Sequence, residues 1–378
     1  MTSGRHPRRL TTPDDFVGAG LVERDRLEEL EAVAERYAIG LTPALAELIE
    51  PGDPEDPIAR QFVPDARELI RDPAERDDPI GDDAMSPIKG LVHRYPDRVL
   101  IKLVAVCAVY CRFCFRRERV GPGSGALSGP DFAAAVEYVR EHPAIWEVIL
   151  TGGDPLTLSP RRIAEVTEAL AAIDHLKALR WHTRLPVAAP ERVTTAVARA
   201  LIAEGKTTVV AVHANHPREL TDSARAACRR LAAEGAMLVS QSVLLKGVND
   251  DPETLIDLMR AFVEARVKPY YLHHGDLAPG TAHWRVPIAR GQELMRAMRA
   301  RLSGLATPTY MLDIPGGHGK APIGPQWIRC GENGKHVVTD PRGIDHAYVD
   351  SLGRPANVGP SPSPPQQHPE QSGADELQ

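Results

Sequence analysis

Three cysteines lie close together in the sequence, as Cys107-Ala-Val-Tyr-Cys111-Arg-Phe-Cys114. Thiolates at this CxxxCxxC spacing can bind three irons of a 4Fe–4S cluster and leave the fourth iron open to a small molecule. A zinc site is the alternative, but a structural zinc site usually takes four protein ligands, and Cys228 and Cys330 stand alone. The number and spacing of the thiols therefore favour an iron–sulfur cluster over zinc.

A second group of chemically capable residues lies near the C-terminus, in the segment Asp313-Ile-Pro-Gly-Gly-His-Gly-Lys320. Glycines let a backbone approach a ligand closely, and a lysine among them can bond covalently to the carbonyl group of a cofactor. Taken alone, the segment is better interpreted as a tight loop that ends in a surface lysine. The same holds for Gly152-Gly-Asp-Pro155, which by itself indicates only a turn.

Short apolar runs alternate with helical patterns through the middle of the chain. This alternation predicts βαβ units with right-handed crossovers, and hence an α/β fold built as a partial (β/α)6 barrel with a parallel sheet. In such a barrel the functional residues follow the carboxyl ends of the strands, which is where the cysteines and the Gly-Gly-Asp-Pro turn lie. The predicted strands are 99–106, 148–151, 179–182, 208–213, 237–243, 270–273 and 309–312, and the predicted helices are 131–140, 160–172, 190–204, 223–234, 252–265 and 291–302.

Segments of different character flank the barrel. Residues 1–95 form a charged N-terminal helical extension, with a helix over 27–37 and a short helix from Thr42, where Pro43 occupies the first position. We expect the barrel to occupy 96–325, followed by a C-terminal segment over 326–353. Residues 354–378 are rich in Pro, Ser and Gln, and this composition is typical of a disordered tail.

Composition excludes several classes of protein. The chain carries 45 Lys and Arg against 51 Asp and Glu, a net charge of −6, so no overall charge favours nucleic acid or a membrane surface. The basic start of the chain lacks the apolar run of a signal peptide. The apolar stretch 99–110 is interrupted by Lys102 and is too short to span a membrane. The chain has five cysteines, an odd number, and three of them lie within eight residues. This is not the pattern of a disulfide framework, so we expect a reducing, cytoplasmic location.

The cysteine loop after the first strand of such a barrel resembles the radical S-adenosylmethionine (SAM) superfamily. In that superfamily the cluster reduces bound SAM and generates a 5′-deoxyadenosyl radical. The resemblance implies that Cys107, Cys111 and Cys114 bind the cluster and that Phe113 packs beside the adenine of SAM. It also implies that Gly152, Gly153 and Asp154 receive the methionine ammonium group.

A narrower resemblance covers the chain from His93 to Lys320 and identifies it as similar to the lysine 2,3-aminomutase family. This resemblance includes the segment from Asp313 to Lys320, called the lysine loop below, as well as the radical SAM motifs. So many matching segments in the same order make the resemblance very specific. The matching segments are His93-Arg-Tyr-Pro-Asp-Arg98, Cys111-Arg-Phe-Cys-Phe-Arg-Arg117, Leu150-Thr-Gly-Gly-Asp-Pro-Leu156, Thr183-Arg-Leu-Pro186, His213-Ala-Asn-His216, Gln241-Ser-Val-Leu-Leu-Lys-Gly-Val-Asn-Asp250, Tyr270-Tyr-Leu-His-His-Gly-Asp276 and the loop that ends at Lys320.

The family resemblance also implies the roles of individual residues. Lys320 matches the lysine that binds pyridoxal 5′-phosphate (PLP) covalently, and Arg116 matches the arginine that holds the substrate carboxylate, for which a planar guanidinium is suited. Asp276 and Asp313 match two carboxylates that hold the ε-ammonium group of lysine. A relative that uses glutamate would need cationic or neutral groups there, because three facing carboxylates repel one another. The residues that match PLP-holding positions are Arg94, Tyr95, Arg184 and Gln241.

The resemblance therefore implies an isomerase that moves the amino group of L-lysine from C2 to C3, with a 4Fe–4S cluster, SAM and PLP as cofactors. It implies a flavodoxin- or ferredoxin-type electron donor and a homo-oligomer, with no nucleic-acid or membrane partner. The same migration on another amino acid is one alternative, and the branch that supplies β-lysine for elongation factor P is a second. A non-catalytic iron–sulfur or zinc protein is a third alternative, but such a protein has no need of Lys320.

The sequence departs from the family at two places. Asp251 stands where the clostridial enzymes have the first cysteine of a zinc site, and the C-terminal segment offers only Cys330, so the sequence does not favour zinc. His318 stands where the glycine run usually has another glycine. This change leaves Lys320 in place and alters the residues around it.

Overall fold

The computed structural model describes residues 8–124 and 126–351. The described residues form two compact units, with the division between Pro325 and Gln326. The first unit holds a large sheet with its helices, and the second holds a small antiparallel sheet. The predicted tail over 354–378 lies outside the described residues.

The large sheet has nine strands in the order β1 to β9. Strands β2 to β8 are parallel, and β1 and β9 add antiparallel edges. Within the described residues the sheet does not close on itself, which confirms the predicted α/β fold with a partial barrel. The strands are β1 Leu91–Tyr95, β2 Arg98–Val104, β3 Glu147–Gly152, β4 Ala178–Thr183, β5 Thr207–His213, β6 Met237–Val243, β7 Lys268–His273, β8 Thr309–Asp313 and β9 Lys320–Pro322.

Helices connect the parallel strands and begin at residues suited to capping. Ser128, Ser159 and Asp251 each accept a hydrogen bond from the first turn of a helix, and a proline stands in that turn. Both features stabilise a helix start, because they satisfy or remove a free backbone N–H. The helices are α1 Pro13–Gly18, α2 Leu27–Arg36, α3 Pro43–Ala46, α4 Pro57–Phe62, α5 Gly129–Glu141, α6 Pro160–Ala171, α7 Leu185–Ala188, α8 Thr195–Ala200, α9 Asp222–Ala233, α10 Pro252–Glu264 and α11 Ile288–Arg301.

Some elements differ from those predicted. The predicted helix over 190–204 is divided into a 3-10 turn at Pro190–Arg192 and α8, because the Thr194 hydroxyl accepts a hydrogen bond from the Val197 N–H and starts a new helix. Strands β1 and β9 were not predicted, since neither carries a continuous apolar run. The second unit contains β10 Ile328–Cys330, β11 Lys335–Thr339 and β12 Asp345–Val349, which were also not predicted.

The barrel core lies between the sheet and its helices and is made of fully buried apolar side chains such as Trp181, Leu150 and Val210. A smaller core gathers Phe16, Leu30 and other side chains of the N-terminal extension. Val109 and Ala188 also belong to this smaller core. The extension is therefore packed against the part of the barrel that carries the cysteines. No helix of the described residues is long and apolar enough to cross a membrane.

A buried carboxylate fixes the extension to the cysteine loop. Glu68 is completely buried and accepts hydrogen bonds from Arg112 Nε at 3.0 Å and Arg112 Nη2 at 2.6 Å. The Arg117 guanidinium donates to the same carboxylate. Both arginines lie in the cysteine loop or directly after it, so that the extension and the loop share one buried ion-pair network.

Replacing Glu68 with alanine leaves two buried guanidinium groups without their carboxylate. We expect this change to lower the free energy of unfolding by about 3–5 kcal/mol, because breaking a buried ion pair leaves uncompensated charge. The control is Glu55→Ala, because Glu55 pairs with Arg60 at the surface and its side chain is 73% exposed. Thermal unfolding of the two variants measures the difference, and an equal Tm would show that Glu68 does not anchor the extension.

Candidate active site

One cavity of about 410 Å³ is lined by residues from the amino ends of strands, such as Arg98 and Glu147, to the carboxyl ends, where the barrel prediction places the functional residues. It is lined by every site residue that the sequence predicts. These are Cys107, Cys111, Cys114, Phe113, Gly152, Gly153, Asp154, Arg94, Tyr95, Arg184, Gln241, Lys320, Arg116, Asp276 and Asp313. The fold thus brings together residues that are more than 200 positions apart in the sequence, such as Arg94 and Lys320.

The three clustered cysteines follow β2 and are free thiols. Burial raises the pKa of Cys111 to about 11 and raises the pKa values of Cys107 and Cys114 as well. The thiols are therefore protonated at neutral pH, and metal binding must release their protons. All three cysteines line the same cavity. A 4Fe–4S cluster binds each thiolate to a different iron, so the three residues fit a cluster.

The glycine pair at the end of β3, Gly152 and Gly153, is required by close packing. A Cβ atom on Gly153 would lie 2.3 Å from the carbonyl oxygen of Val106, and one on Gly152 would lie 2.2 Å from that of Val104. Gly152 also has φ +115, which disfavours other residues. The glycines therefore let the end of β3 lie directly against the backbone that leads into the cysteine loop.

Asp154 lines the cavity, but its carboxylate already has donors within the chain. It accepts hydrogen bonds from the Thr183 hydroxyl at 2.8 Å, the Arg184 N–H at 2.8 Å and the Leu156 N–H at 3.0 Å. Burial nevertheless raises its pKa, since these hydrogen bonds only partly offset the loss of solvation. In this structure Asp154 joins the turn after β3 to the end of β4.

Lys320 and Asp313 form an ion pair beside the cavity. The Lys320 Nζ lies 2.6 Å from the Asp313 Oδ1, and the two residues are partners in the antiparallel pairing of β8 and β9. The His273 Nδ1 lies 3.3 Å from the other Asp313 oxygen, and the Lys320 N–H donates to the Tyr95 hydroxyl at 2.7 Å. Burial raises the pKa of Asp313, but the hydrogen bond with His273 and the charge of Lys320 outweigh it and hold the pKa well below its usual range.

Asp276 follows β7 and lines the cavity with Asp313. Burial, and then the negative charge of Asp313, raise the pKa of Asp276 to about 7. Lys320 and Arg116 act in the opposite direction. A further cation near both carboxylates would be stabilised by them and would lower the pKa of Asp276. This end of the site is therefore suited to an ammonium group.

Arg116 is held by two partners and keeps donors free. Its Nη1 donates to the Thr151 hydroxyl at 3.2 Å, and its Nη2 donates to Asp82 at 3.0 Å. Its Nε is buried without a hydrogen-bond partner among the described residues. Arg94 donates to the other oxygen of Asp82 at 3.0 Å, and its Nε is likewise buried without a partner there. Both guanidinium groups can therefore donate to a bound anion.

Arg184 and Gln241, which the sequence also predicts to hold PLP, are likewise fixed by neighbouring side chains. Arg184 donates to Glu219 at 3.1 Å, and Glu219 is completely buried. The Gln241 Nε2 lies 2.7 Å from the His273 Nε2, while the Gln241 Oε1 is buried with no partner in the described part of the chain. A buried polar atom without a partner is costly unless a ligand satisfies it. The Gln241 Oε1 therefore fits a cavity that takes a polar cofactor.

Sequence reasoning gave no role to two histidines of the cavity. His182 and His213 line it, and the Nε2 atom of each is buried without a partner in the described residues. Burial lowers the pKa of His213 to about 3 and that of His182 well below its usual range, so both rings are neutral at pH 7. Their positions at the ends of β4 and β5 could have identified them. Sequence reasoning also missed Asp82, which contacts two arginines of the cavity and lies in the N-terminal extension, where no motif marks it.

Comparison with known proteins gives the following relatives, while no family model matches the chain. The L-lysine 2,3-aminomutase of Clostridium subterminale is 35% identical over 328 residues, which cover 86% of this chain and 79% of that protein. The putative L-lysine 2,3-aminomutase of Aquifex aeolicus is 39% identical over 293 residues, 78% of this chain and 79% of that protein. The glutamate 2,3-aminomutase of Clostridioides difficile is 33% identical over 320 residues, 85% of this chain and 75% of that protein.

Among solved structures, a radical SAM methyltransferase from Sphaerobacter thermophilus matches with a TM-score of 0.43 and 23% identity, over 61% of this chain and 71% of that chain. The aminomutases are the more similar proteins in sequence, and each of the three is covered over at least three quarters of its length. At this identity and coverage, the chain belongs to the lysine 2,3-aminomutase family.

Proposed function

We propose that the protein converts L-lysine to β-lysine by moving the amino group from C2 to C3. The observation that carries this proposal is the charge of the cavity, which holds a guanidinium with free donors and two carboxylates suited to an ammonium group. Free lysine carries a carboxylate and a side-chain ammonium group, so both of its charged ends find partners. The names of the lysine aminomutases among the relatives support the same substrate.

Arg116 is the proposed partner of the substrate carboxylate. Its contacts with Thr151 and Asp82 use one hydrogen each from Nη1 and Nη2, and its Nε has no partner in the described residues. A guanidinium offers five N–H donors in a planar fork, so enough donors remain for a bidentate carboxylate. Because the contacts to Thr151 and Asp82 fix the plane of the fork, the carboxylate would be bound in one orientation.

Asp313 and Asp276 are the proposed partners of the substrate ammonium group. The ion pair with Lys320 supports this role, because it places an alkylammonium group of the chain itself on Asp313. When Lys320 bonds to the cofactor, its Nζ is engaged elsewhere and Asp313 can accept the ammonium group of a substrate. Asp276 adds a second carboxylate whose pKa near 7 would fall when the cation binds.

The cofactors are those of the family. When bound, the cluster and SAM supply a 5′-deoxyadenosyl radical, and PLP carries the amino group that migrates. We propose that Cys107, Cys111 and Cys114 hold the cluster and that Lys320 binds PLP covalently. The proposed surroundings of SAM are Phe113, Gly152, Gly153 and Asp154, and those of PLP are Arg94, Tyr95, Arg184 and Gln241. The buried setting of these residues would keep water from the reacting groups.

Glutamate is the second candidate substrate, because one relative is a glutamate 2,3-aminomutase. The γ-carboxylate of glutamate would face Asp276 and Asp313, and like charges in a buried site repel one another strongly. The described residues place Lys320 at this end of the cavity, but Lys320 is the proposed site of PLP. Lysine is therefore the substrate that the charges favour.

The remaining parts of the proposal concern the setting of the enzyme. The cluster needs a one-electron donor, for which a reduced flavodoxin or ferredoxin is suited. Free thiols at Cys107, Cys111 and Cys114 support a reducing, cytoplasmic compartment. Exposed apolar side chains of the small sheet, Ile328, Tyr348 and Val349, support a homo-oligomer.

Anaerobic incubation of the reconstituted enzyme with an equimolar mixture of lysine, ornithine and glutamate tests the proposed function. SAM and a reductant are added, and the products are separated by mass spectrometry. We expect β-lysine as the main product, with no β-glutamate. Formation of β-glutamate while lysine remains unchanged would contradict the lysine assignment.

Replacing Lys320 with alanine tests the assignment of the PLP lysine. We expect the covalent bond to PLP to be lost while iron content and reductive cleavage of SAM are retained, since the cluster residues are separate from Lys320. The control is Lys246→Ala, because Lys246 is exposed. Borohydride reduction followed by peptide mass spectrometry locates the bound PLP. A reduced PLP adduct in the Lys320→Ala variant would assign the role to another lysine.

A further inference from the structure

One buried carboxylate connects the two arginines that the proposed function assigns to different ligands. Asp82 is 4% exposed. Its Oδ1 accepts a hydrogen bond from Arg94 Nη2 at 3.0 Å, and its Oδ2 accepts one from Arg116 Nη2 at 3.0 Å. Arg94 is proposed to hold PLP, and Arg116 is proposed to bind the substrate carboxylate. The Asp82 side chain therefore contacts one arginine of each proposed binding site.

The segment around Asp82 is itself held firmly against the site. The backbone N–H groups of Asp82 and Asp83 donate to the Asp78 carboxylate at 2.9 Å, and the Ser86 hydroxyl donates to the Asp82 carbonyl at 2.7 Å. Gly81 lies so close to the lysine loop that a Cβ atom there would be 2.2 Å from the Gly317 nitrogen. The segment therefore contacts the lysine loop as well as the two arginines.

From these contacts we infer that Asp82 is a positioning residue, which holds the guanidinium groups of Arg94 and Arg116 in the relative placement that cofactor and substrate require. The inference rests on the proposed function, because that function assigns the two arginines. Asp82 is not among the residues that line the cavity, so it would act through the two arginines that do.

Charge explains why a carboxylate is needed at this position. Two neighbouring guanidinium groups in a poorly solvated site repel each other, and an intervening carboxylate offsets this repulsion. The arginines and Asp82 together carry one net positive charge, and the Nε atoms of both arginines are left without partners in the described residues. The group of three is thus fixed in position and can still bind an anion.

Asp82→Asn tests the inference with little change in size. Asparagine presents one oxygen and one NH2 group, and the NH2 group cannot accept a hydrogen bond from an arginine. We expect the KM for lysine to rise about 10- to 100-fold, as for the loss of a charged hydrogen bond. The kcat at saturating lysine should change less, and PLP should dissociate more readily, as measured by its absorbance after gel filtration.

Asp83→Asn is a matched control. Asp83 is the neighbouring residue of the same type, and its backbone N–H also donates to Asp78, but its side chain is 59% exposed and pairs with Arg119. We expect wild-type KM and PLP retention in this variant. Folding of both variants is checked by Tm. If Asp82→Asn does not fold, Asp82→Glu is used instead, because glutamate keeps the negative charge but moves the carboxylate by one methylene. The same rise in KM is expected for this variant.

A double-mutant cycle with Arg116→Lys tests whether Asp82 acts through Arg116. We expect the KM increase of the double variant to be smaller than the product of the single increases, since coupled residues are not additive. A folded Asp82→Asn variant with the KM and PLP retention of Asp83→Asn would overturn the inference, even with a lowered Tm. So would multiplicative effects in the cycle.

The proposed function and this inference fail in distinguishable ways. Turnover of lysine by the wild-type enzyme is measured first, and its absence contradicts the proposed function. PLP retention is compared between Asp82→Asn and Asp83→Asn without any turnover, so that the inference is tested by a readout that does not depend on the substrate.

Discussion

The ion pair between Asp313 and Lys320 is the interaction on which the site depends. The two residues are partners in the β8–β9 pairing, so the strand register sets the distance between the proposed cofactor lysine and one of the proposed substrate carboxylates. The connecting loop has positive φ at Gly316, Gly317 and Gly319, a conformation that other residues rarely adopt. The glycine run is therefore needed to reverse the chain between the two residues.

The N-terminal extension completes the site that the barrel begins. Glu68 binds the arginines of the cysteine loop, and Asp82 binds Arg94 and Arg116. Glu75 accepts hydrogen bonds from the backbone N–H groups of Gly280 and Thr281, which follow β7. Three buried carboxylates of one segment thus fix the cysteine loop, two arginines of the cavity and the loop after β7, and each is neutralised or hydrogen-bonded where it lies.

The sequence predicts the barrel well, because a buried parallel strand requires a continuous apolar run. Such a run can be recognised in the sequence without knowing which strands lie beside it. Strand β6 over 237–243 agrees with its prediction at both ends. Edge strands follow no such rule, and β1 and β9 were missed for that reason. The prediction of one continuous helix over 190–204 was wrong, because Thr194 caps a new helix inside the apolar pattern.

The site could be predicted only where a motif marks it. The cysteines and Lys320 stand in characteristic spacings, and the rule that function follows the strand ends places them in one cavity. Asp82 has no such signal: its role arises from contacts with residues 12 and 34 positions away, which depend on the fold. The burial that raises the pKa of Asp276 likewise depends on side chains from separate strands.

The central claim is that buried carboxylates select a substrate with a side-chain ammonium group. Calorimetric binding of lysine and norleucine to the cofactor-loaded enzyme tests it directly, since norleucine shares the carboxylate, amino group and apolar chain but lacks the ε-ammonium group. We predict that lysine binds at least ~100-fold more tightly, because a site built for a polar group rejects an analogue without it. This advantage should shrink as the pH falls below about 7, where Asp276 takes up a proton. Equal affinities for the two amino acids at pH 8 would contradict the claim.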